Sequence, residues 1–104
     1  MKGKRMIKLV VLYGHPADPA AFDKYYHETH IPIARNIPNV KRAELGRIHS
    51  AMPGETPPYY WQAEFWFESP ESLQEALTSE AGRATAQDIP NFATGGITMF
   101  VAEA

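Results

Sequence analysis

The chain of 104 residues contains no cysteine. This absence excludes disulfide bonds, thiolate nucleophiles and cysteine-ligated zinc sites, and it agrees with the cytoplasmic location that we expect. The formal net charge is only −2 and no long basic run occurs, so we expect no nucleic-acid partner. No apolar run approaches the roughly 20 residues that a transmembrane helix needs, so we expect no membrane association.

The motifs of nucleotide-dependent and nucleophilic enzymes are absent as well. The chain has no G-x-G-x-x-G or P-loop sequence and no G-x-S-x-G elbow, so we expect neither a nucleotide cofactor nor a serine triad. His27 and His30 share a helical spacing of three, but no third metal ligand is clearly placed beside them. We therefore expect no metal and no other cofactor. We expect His15 and His49 at the surface, and His27 either in solvent or at an interface.

The pattern of apolar residues predicts four strands and two helical regions. The first helical region begins at an Asp18 cap followed by Pro19. The second begins after Ser69, restarts near Ser79 and ends before Pro90. The order β-α-β-β-α-β is typical of an α+β ferredoxin-like fold, with a four-stranded antiparallel sheet and helices on one face. We expect one domain over 6–104 and an N-terminal extension over 1–5. The predicted strands cover 6–14, 40–50, 59–68 and 97–104.

The strand over 59–68 has one apolar face and one mixed face. Its mixed face carries Tyr60 and Trp66 beside Glu64, which is too aromatic for simple exposure to water. We therefore predict a homodimer through the open sheet face. Glu64 is expected either to pair with Arg42 or Arg47 across that dimer or to lie exposed at an edge.

The first predicted helix carries the residues that attract most interest. Phe22, Tyr25 and Tyr26 fall on one apolar stripe, and His30 lies on its flank. Pro32 is expected to kink or interrupt the helix. A neutral imidazole at His30 has two interpretations: a general acid-base near pH 7, or a group that hydrogen-bonds backbone freed by the proline.

Several motifs in this region resemble the EthD family, which is named after a protein of ethyl tert-butyl ether degradation. The run "VLYGHPADPAAFDKYYHETHIPIARNIPNV" is similar to the opening half of those proteins, above all in its F-x-x-Y-Y-x-x-x-H-x-P pattern. The segments "SPESL" and "DIPNF" are similar too. The resemblance implies a dimeric α+β barrel, with a pocket between helices and sheet and a pocket histidine at His30.

The relatives of that superfamily include muconolactone isomerases, polyketide cyclases, antibiotic-type monooxygenases and haem-degrading enzymes. The resemblance and the aromatic pattern together make His30 the candidate catalytic residue. The candidate ligand-binding residues are Tyr13, Tyr25, Tyr26 and Trp61, with core packing as the alternative role for each of them.

Two functions remain open from the sequence. The first is a cofactor-free isomerase, cyclase or lyase, or a related oxygenase, in which His30 moves a proton on a small apolar or aromatic catabolic intermediate. The alternative is a non-catalytic ligand-binding accessory protein of an oxygenase-dependent degradation pathway. The sequence does not identify a proton partner for His30.

Overall fold

The computed structural model describes residues 5–104 and has one four-stranded sheet with helices on one face. The sheet order is β2-β3-β1-β4, and each neighbouring pair is antiparallel. This confirms the predicted ferredoxin-like α+β fold. The predicted extension over 1–5 falls almost entirely outside the described residues. The strands are β1 Ile7–Tyr13, β2 Arg42–Arg47, β3 Trp61–Phe67 and β4 Ile97–Glu103.

Both helical regions begin at side-chain caps. Asp18 accepts a hydrogen bond from the backbone of Ala21, and Ser69 accepts one from Ser72, as the sequence predicts. Within residues 5–104, no helix is long and apolar enough to cross a bilayer. The first region consists of α1 Pro19–Tyr25, a π turn Tyr26–His30 and α2 Ile31–Ala34; the second consists of α3 Pro70–Thr78, α4 Glu80–Asp88 and a 3₁₀ turn Ile89–Asn91.

The predicted interruption at Pro32 takes the form of a π turn directly before it. Pro32 has no N–H, and its ring would crowd the carbonyl of Glu28 in a regular helix. The chain instead widens, and the N–H of Ile31 donates to the carbonyl of Tyr26 five residues earlier. His30 is the last residue of this turn, one turn after Tyr26. It is 3% exposed, and its ring stacks on that of Tyr26 in the interior.

Two apolar clusters fill the space between the helices and the sheet. The first surrounds Tyr13, Phe22, Tyr26 and Phe92 at one end of the sheet. The second surrounds Phe67, Leu73 and Ala76 at the other end. Leu9 and Phe65 pack against both clusters, so the sheet forms a continuous floor from one end of the molecule to the other.

Tyr60 is placed differently from the sequence-based prediction. It precedes the first residue of β3, so the alternation of the strand does not reach it. Its ring turns to the helical side and packs 5.2 Å from that of Phe22, and its hydroxyl donates to Asp23 Oδ1 at 2.7 Å. Only 2% of Tyr60 is exposed, so the prediction that it lies on the open sheet face is wrong.

The open sheet face is consequently more polar than expected. Trp66 does lie there, but the side chains of Lys8 and Arg42 cover its ring, with the charged groups 5.0 and 4.7 Å from its centroid. Glu64 pairs with Lys8 at 3.3 Å within the same protomer. The predicted pairing of Glu64 with Arg42 or Arg47 across a dimer stays a prediction, since the structure holds one protomer, in which Arg42 pairs with Glu44.

Most of the exposed apolar surface of the sheet belongs to the edge strand β4. Phe100 lies opposite Val10 on the open face and is 46% exposed. The neighbouring residues Met99 and Val101 point to the other face and are 49% and 52% exposed. Both faces of β4 thus remain uncovered within the protomer.

Gly82 fixes the junction between α3 and α4. A Cβ atom at this position would lie 2.1 Å from the carbonyl oxygen of Ala76, so only glycine permits this approach. The junction sets the direction of α4, which ends at Asp88.

Candidate functional site

A cavity of about 670 Å³ lies between the helices and the sheet. Its wall includes Leu9 and Phe65 from the floor, Ile37 and Leu77 from the helical side, and many further apolar side chains. This volume is in the usual range for sites that bind small molecules. The polar side chains of the wall are Tyr13, Tyr26, His30, Arg35 and Thr85.

His30 is held against the wall of the cavity by a carboxylate. Its Nδ1 lies 2.9 Å from Oδ2 of Asp88, the last residue of α4. Only 3% of His30 and 7% of Asp88 are exposed. Because an ionised carboxylate only accepts hydrogen bonds, we assign the hydrogen of the neutral imidazole to Nδ1. Nε2 then carries a lone pair and is the nitrogen left to face the cavity.

Asp88 is the centre of a hydrogen-bond network with three donors. Besides His30, the hydroxyl of Tyr25 donates to its Oδ1 at 2.6 Å and the side-chain amide of Asn91 donates to the same atom at 3.0 Å. Burial by itself would raise the pKa of Asp88, but the hydrogen bonds from Tyr25, Asn91 and His30 outweigh burial and lower it. Asp88 therefore stays ionised at neutral pH.

The environment of His30 favours a neutral ring. The imidazole stacks on Tyr26 with ring centroids 5.5 Å apart and lies 4.5 Å from the ring of Phe92. Burial lowers the pKa of His30, and the hydrogen bond and charge of Asp88 only partly oppose this effect. A neutral imidazole with its orientation fixed by a carboxylate is the arrangement that a general base requires.

Tyr13 and Tyr26 bring two phenols to the same end of the cavity. Each residue is 2% exposed, and their rings are 5.7 Å apart. Burial raises the pKa of Tyr26 to about 12, an effect that the neighbouring Trp61 indole opposes. Burial and the nearby Tyr26 and Asp88 raise the pKa of Tyr13 even further. Both hydroxyls therefore stay protonated and can donate hydrogen bonds.

The other two candidate ligand-binding residues do not line the cavity. Tyr25 lies behind Asp88 and supports the carboxylate, and its ring stacks on Phe92 at 5.6 Å. Trp61 packs against the rings of Tyr26 and His27, at 5.2 and 5.6 Å. Its indole N–H is buried without a hydrogen bond of ordinary geometry to the described protein. The structure thus brings Tyr13, Tyr26 and His30 together and leaves Trp61 outside the wall. Whether any of these residues binds a ligand stays a prediction.

The three remaining histidines are outside the cavity wall and exposed, which agrees with the surface prediction for His15 and His49 and with the solvated alternative for His27. His15 contacts the carbonyl of Pro57 at 2.7 Å, and His27 and His49 are exposed on the first helical region and after β2. In the described part of the chain, no group of three or more potential ligands is arranged to hold a metal ion.

Sequence reasoning missed Asp88 as the partner of His30. The two residues are 58 positions apart, and no local spacing connects them. The available signal was "DIPNF", in which Asp88 precedes Pro90 and closes the helix on the side that faces the first helical region. An acidic residue at a helix C-terminus opposes the helix dipole, so its presence there indicates a compensating partner.

Comparison with known proteins extends the resemblance over the whole fold. The EthD domain model matches residues 14–96. An uncharacterised 11.0 kDa protein of Rhodococcus erythropolis, from the thcB-thcC intergenic region, is 43% identical over 94 residues, which is 90% of each chain. The crystal structure of an EthD family protein from Bacillus halodurans C-125 is 34% identical and has a TM-score of 0.88, covering 95% of this chain and 98% of that one.

More distant structures share the fold alone. SnoaB from Streptomyces nogalater, a cofactor-independent oxygenase, is 16% identical with a TM-score of 0.59, covering 96% of this chain and 94% of its own. Dimeric ferredoxin-like proteins from Bacteroides fragilis, Thermobifida fusca and Jannaschia are 10–15% identical, with TM-scores of 0.67–0.73, and each match covers at least 95% of both chains. With the family model matched over most of its length and a close relative beside it, the chain belongs to the EthD domain family.

Proposed function

We propose that the protein is a cofactor-free enzyme in which His30 acts as a general acid-base on a small apolar or aromatic intermediate. The observation that carries this proposal is the 2.9 Å contact between His30 and Asp88 at the wall of a large apolar cavity. An isolated buried histidine would serve equally well as a packing group. A histidine oriented by an ionised carboxylate, with its second nitrogen left to a cavity, resembles the base-and-orienter pairs of known acid-base catalysts.

The polar groups of the cavity wall indicate the class of reaction. The cavity wall offers one base and two phenolic donors, with the guanidinium of Arg35 and the hydroxyl of Thr85 as further polar groups in a mainly apolar lining. Such a site suits the removal of a proton from one atom and its return to another, as in isomerisation, cyclisation or elimination. The oxygenase among the distant neighbours suggests a variant, in which the same proton removal prepares an electron-rich quinol for reaction with dioxygen.

We further propose that the protein forms a homodimer that covers the open sheet face and β4. Related folds that are dimeric support this proposal, and so does the exposure of Phe100, Met99 and Val101. Met99 also lines the cavity, so the dimer would help to close it, and the dimer and the proton transfer at His30 are tested by separate measurements.

The enzyme proposal is tested with the variant His30→Gln and a panel of lactones and quinols. We expect the wild-type protein to turn over at least one panel member and the variant to lose about 10²–10⁴-fold of that rate with its affinity retained. Oxygen consumption is recorded in the quinol reactions. His49→Gln is the matched control, because His49 is exposed and distant from the cavity. Tight binding without any turnover would instead favour the ligand-binding accessory protein.

A further inference from the structure

The hydroxyl of Tyr13 differs from those of Tyr25 and Tyr60 in its surroundings. Tyr13 is 2% exposed and lines the cavity. Buried tyrosine hydroxyls ordinarily have a hydrogen-bond partner. The hydroxyls of Tyr25 and Tyr60 donate to carboxylates, whereas no protein group within residues 5–104 pairs with the hydroxyl of Tyr13. In that part of the chain the buried polar atom without a partner is Nε1 of Trp61, so the Tyr13 hydroxyl is not sealed in the core and can be reached from the cavity that Tyr13 lines.

The position of Tyr13 relative to His30 is fixed by their common neighbours. Phe92 contacts both rings, with centroids 5.5 Å from Tyr13 and 4.5 Å from His30. Tyr26 also contacts both, at 5.7 and 5.5 Å. Both residues therefore lie in the same part of the cavity wall, where one ligand can contact both. The ring of Tyr13 is further held by an edge contact with Phe22 at 5.6 Å.

We propose that Tyr13 is a catalytic hydrogen-bond donor to a carbonyl oxygen, and that the substrate class is aryl or alicyclic ketones and lactones with an acidic α-hydrogen. This inference rests on the proposed function. Nε2 of His30 takes the α-proton, the C–H electron pair forms a carbon–carbon double bond, and the carbonyl π pair moves onto oxygen. The Tyr13 hydroxyl stabilises that oxyanion through its hydrogen bond. The imidazolium then returns a proton to the α-carbon, or to the γ-carbon where the substrate carries a β,γ double bond, and the oxygen lone pair re-forms the carbonyl, so that all atoms and electrons balance without a co-reactant.

The shape of the cavity agrees with this class of substrate. Tyr13, Tyr26 and His30 lie at the end formed by the first apolar cluster, while Ile37, Val40 and Phe67 form an apolar opposite end. A ligand with one carbonyl head and an apolar body matches both ends. A polyhydroxylated compound such as a sugar would meet only a few polar side chains in this wall and would leave most of its hydroxyls against apolar ones.

The test uses 2-tetralone, an aryl-fused ketone with acidic α-hydrogens, labelled with ¹³C at the carbonyl. Exchange of its α-hydrogens in D₂O measures proton abstraction, and the ¹³C shift of the bound carbonyl reports a donated hydrogen bond. The variants are Tyr13→Phe and His30→Gln. Tyr59→Phe is the matched control, since it removes a phenol hydroxyl outside the cavity.

We expect the wild-type protein to catalyse exchange and to shift the bound carbonyl signal downfield. Tyr13→Phe should lower the exchange rate by about 10²-fold and abolish the shift, whereas His30→Gln should abolish exchange and retain the shift. Tyr59→Phe should change neither. A normal shift and rate in Tyr13→Phe would overturn the role of Tyr13 and leave His30 as the base. A Tyr13-dependent shift without exchange would support the carbonyl contact and contradict the proposed enzyme. Failure of the ketone to bind would overturn the substrate class.

Discussion

Asp88 ends α4 with its Oδ2 2.9 Å from Nδ1 of His30, in the π turn of the other helical region. This contact joins two segments that are far apart in the sequence and places both residues in the interior. It supplies the charged partner that fixes the ring and leaves Nε2 to the cavity. The proposed chemistry depends on this relationship more than on any other feature of the molecule.

Replacement of Asp88 by Asn tests the carboxylate as a positioning group. Asn keeps the size but loses the charge and offers Nδ1 of His30 either an acceptor or a donor. We expect kcat to fall by about 10²-fold or more with KM little changed, and the pKa of His30 in the pH–rate profile to drop. Asp23→Asn is the matched control, because Asp23 also accepts a tyrosine hydroxyl but lies outside the cavity wall. Equal losses in both variants would contradict the positioning role.

The buried histidine should make stability depend on pH. Burial lowers the pKa of His30 in the folded protein below its ordinary value of 6.5. Between the folded pKa and pH 6.5, the unfolded chain therefore binds a proton at His30 that the folded protein does not bind. The free energy of unfolding should be largest above pH 6.5, decrease as the pH falls below 6.5, and level off below the folded pKa. Asp88, with a pKa lowered from 3.8, adds a separate loss that begins only below that pH.

Urea unfolding of the wild-type protein and of His30→Gln across this pH range measures the effect. The variant should lack the decrease that starts at pH 6.5 and keep the loss at lower pH. Identical pH profiles for the two proteins would show that His30 titrates as an ordinary exposed histidine.

The junction at Gly82 should tolerate no side chain. Gly82→Ala places a Cβ atom 2.1 Å from a backbone carbonyl, so α3 and α4 must move apart. We expect a loss of about 1–3 kcal/mol in the free energy of unfolding. In Gly46→Ala the new Cβ meets no atom within 4 Å, and the change should stay within about 0.5 kcal/mol. Thermal or urea unfolding distinguishes the two, and a neutral Gly82→Ala would contradict the packing described above.

The dimer prediction is tested at Phe100. A charge in the variant Phe100→Asp would be buried at the proposed interface, so we expect the protein to become monomeric in light scattering at concentrations where the wild-type protein is dimeric. Met52→Asp introduces the same charge at a loop residue that is 60% exposed, and it should leave the dimer intact. A monomeric wild-type protein would overturn the proposed assembly.

The sequence predicted those parts of the structure that depend on short spacings. The caps at Asp18 and Ser69, the strand alternation in β3 and the element order all follow from residues within one turn or one strand of each other. The prediction from strand alternation was wrong at Tyr60, because that residue lies just before β3 and its ring packs against Phe22.

The candidate site was predictable only in part, for a similar reason. His30 stood out through its position beside aromatic residues and before Pro32, and the structure places it at the cavity wall. The π turn forms at the break predicted before Pro32, whereas the approach of Asp88 depends on the packing of α2 against α4. No local sequence pattern specifies that approach.

The most direct test of the central claim is the protonation state of His30 at neutral pH, observed by ¹⁵N NMR of the imidazole nitrogens and assigned by comparison with His30→Gln. The contact with Asp88 predicts a neutral ring with its hydrogen on Nδ1 and a lone pair on Nε2. A neutral ring with its hydrogen on Nε2, or an imidazolium at pH 7, would contradict the account of His30 as a base held by Asp88.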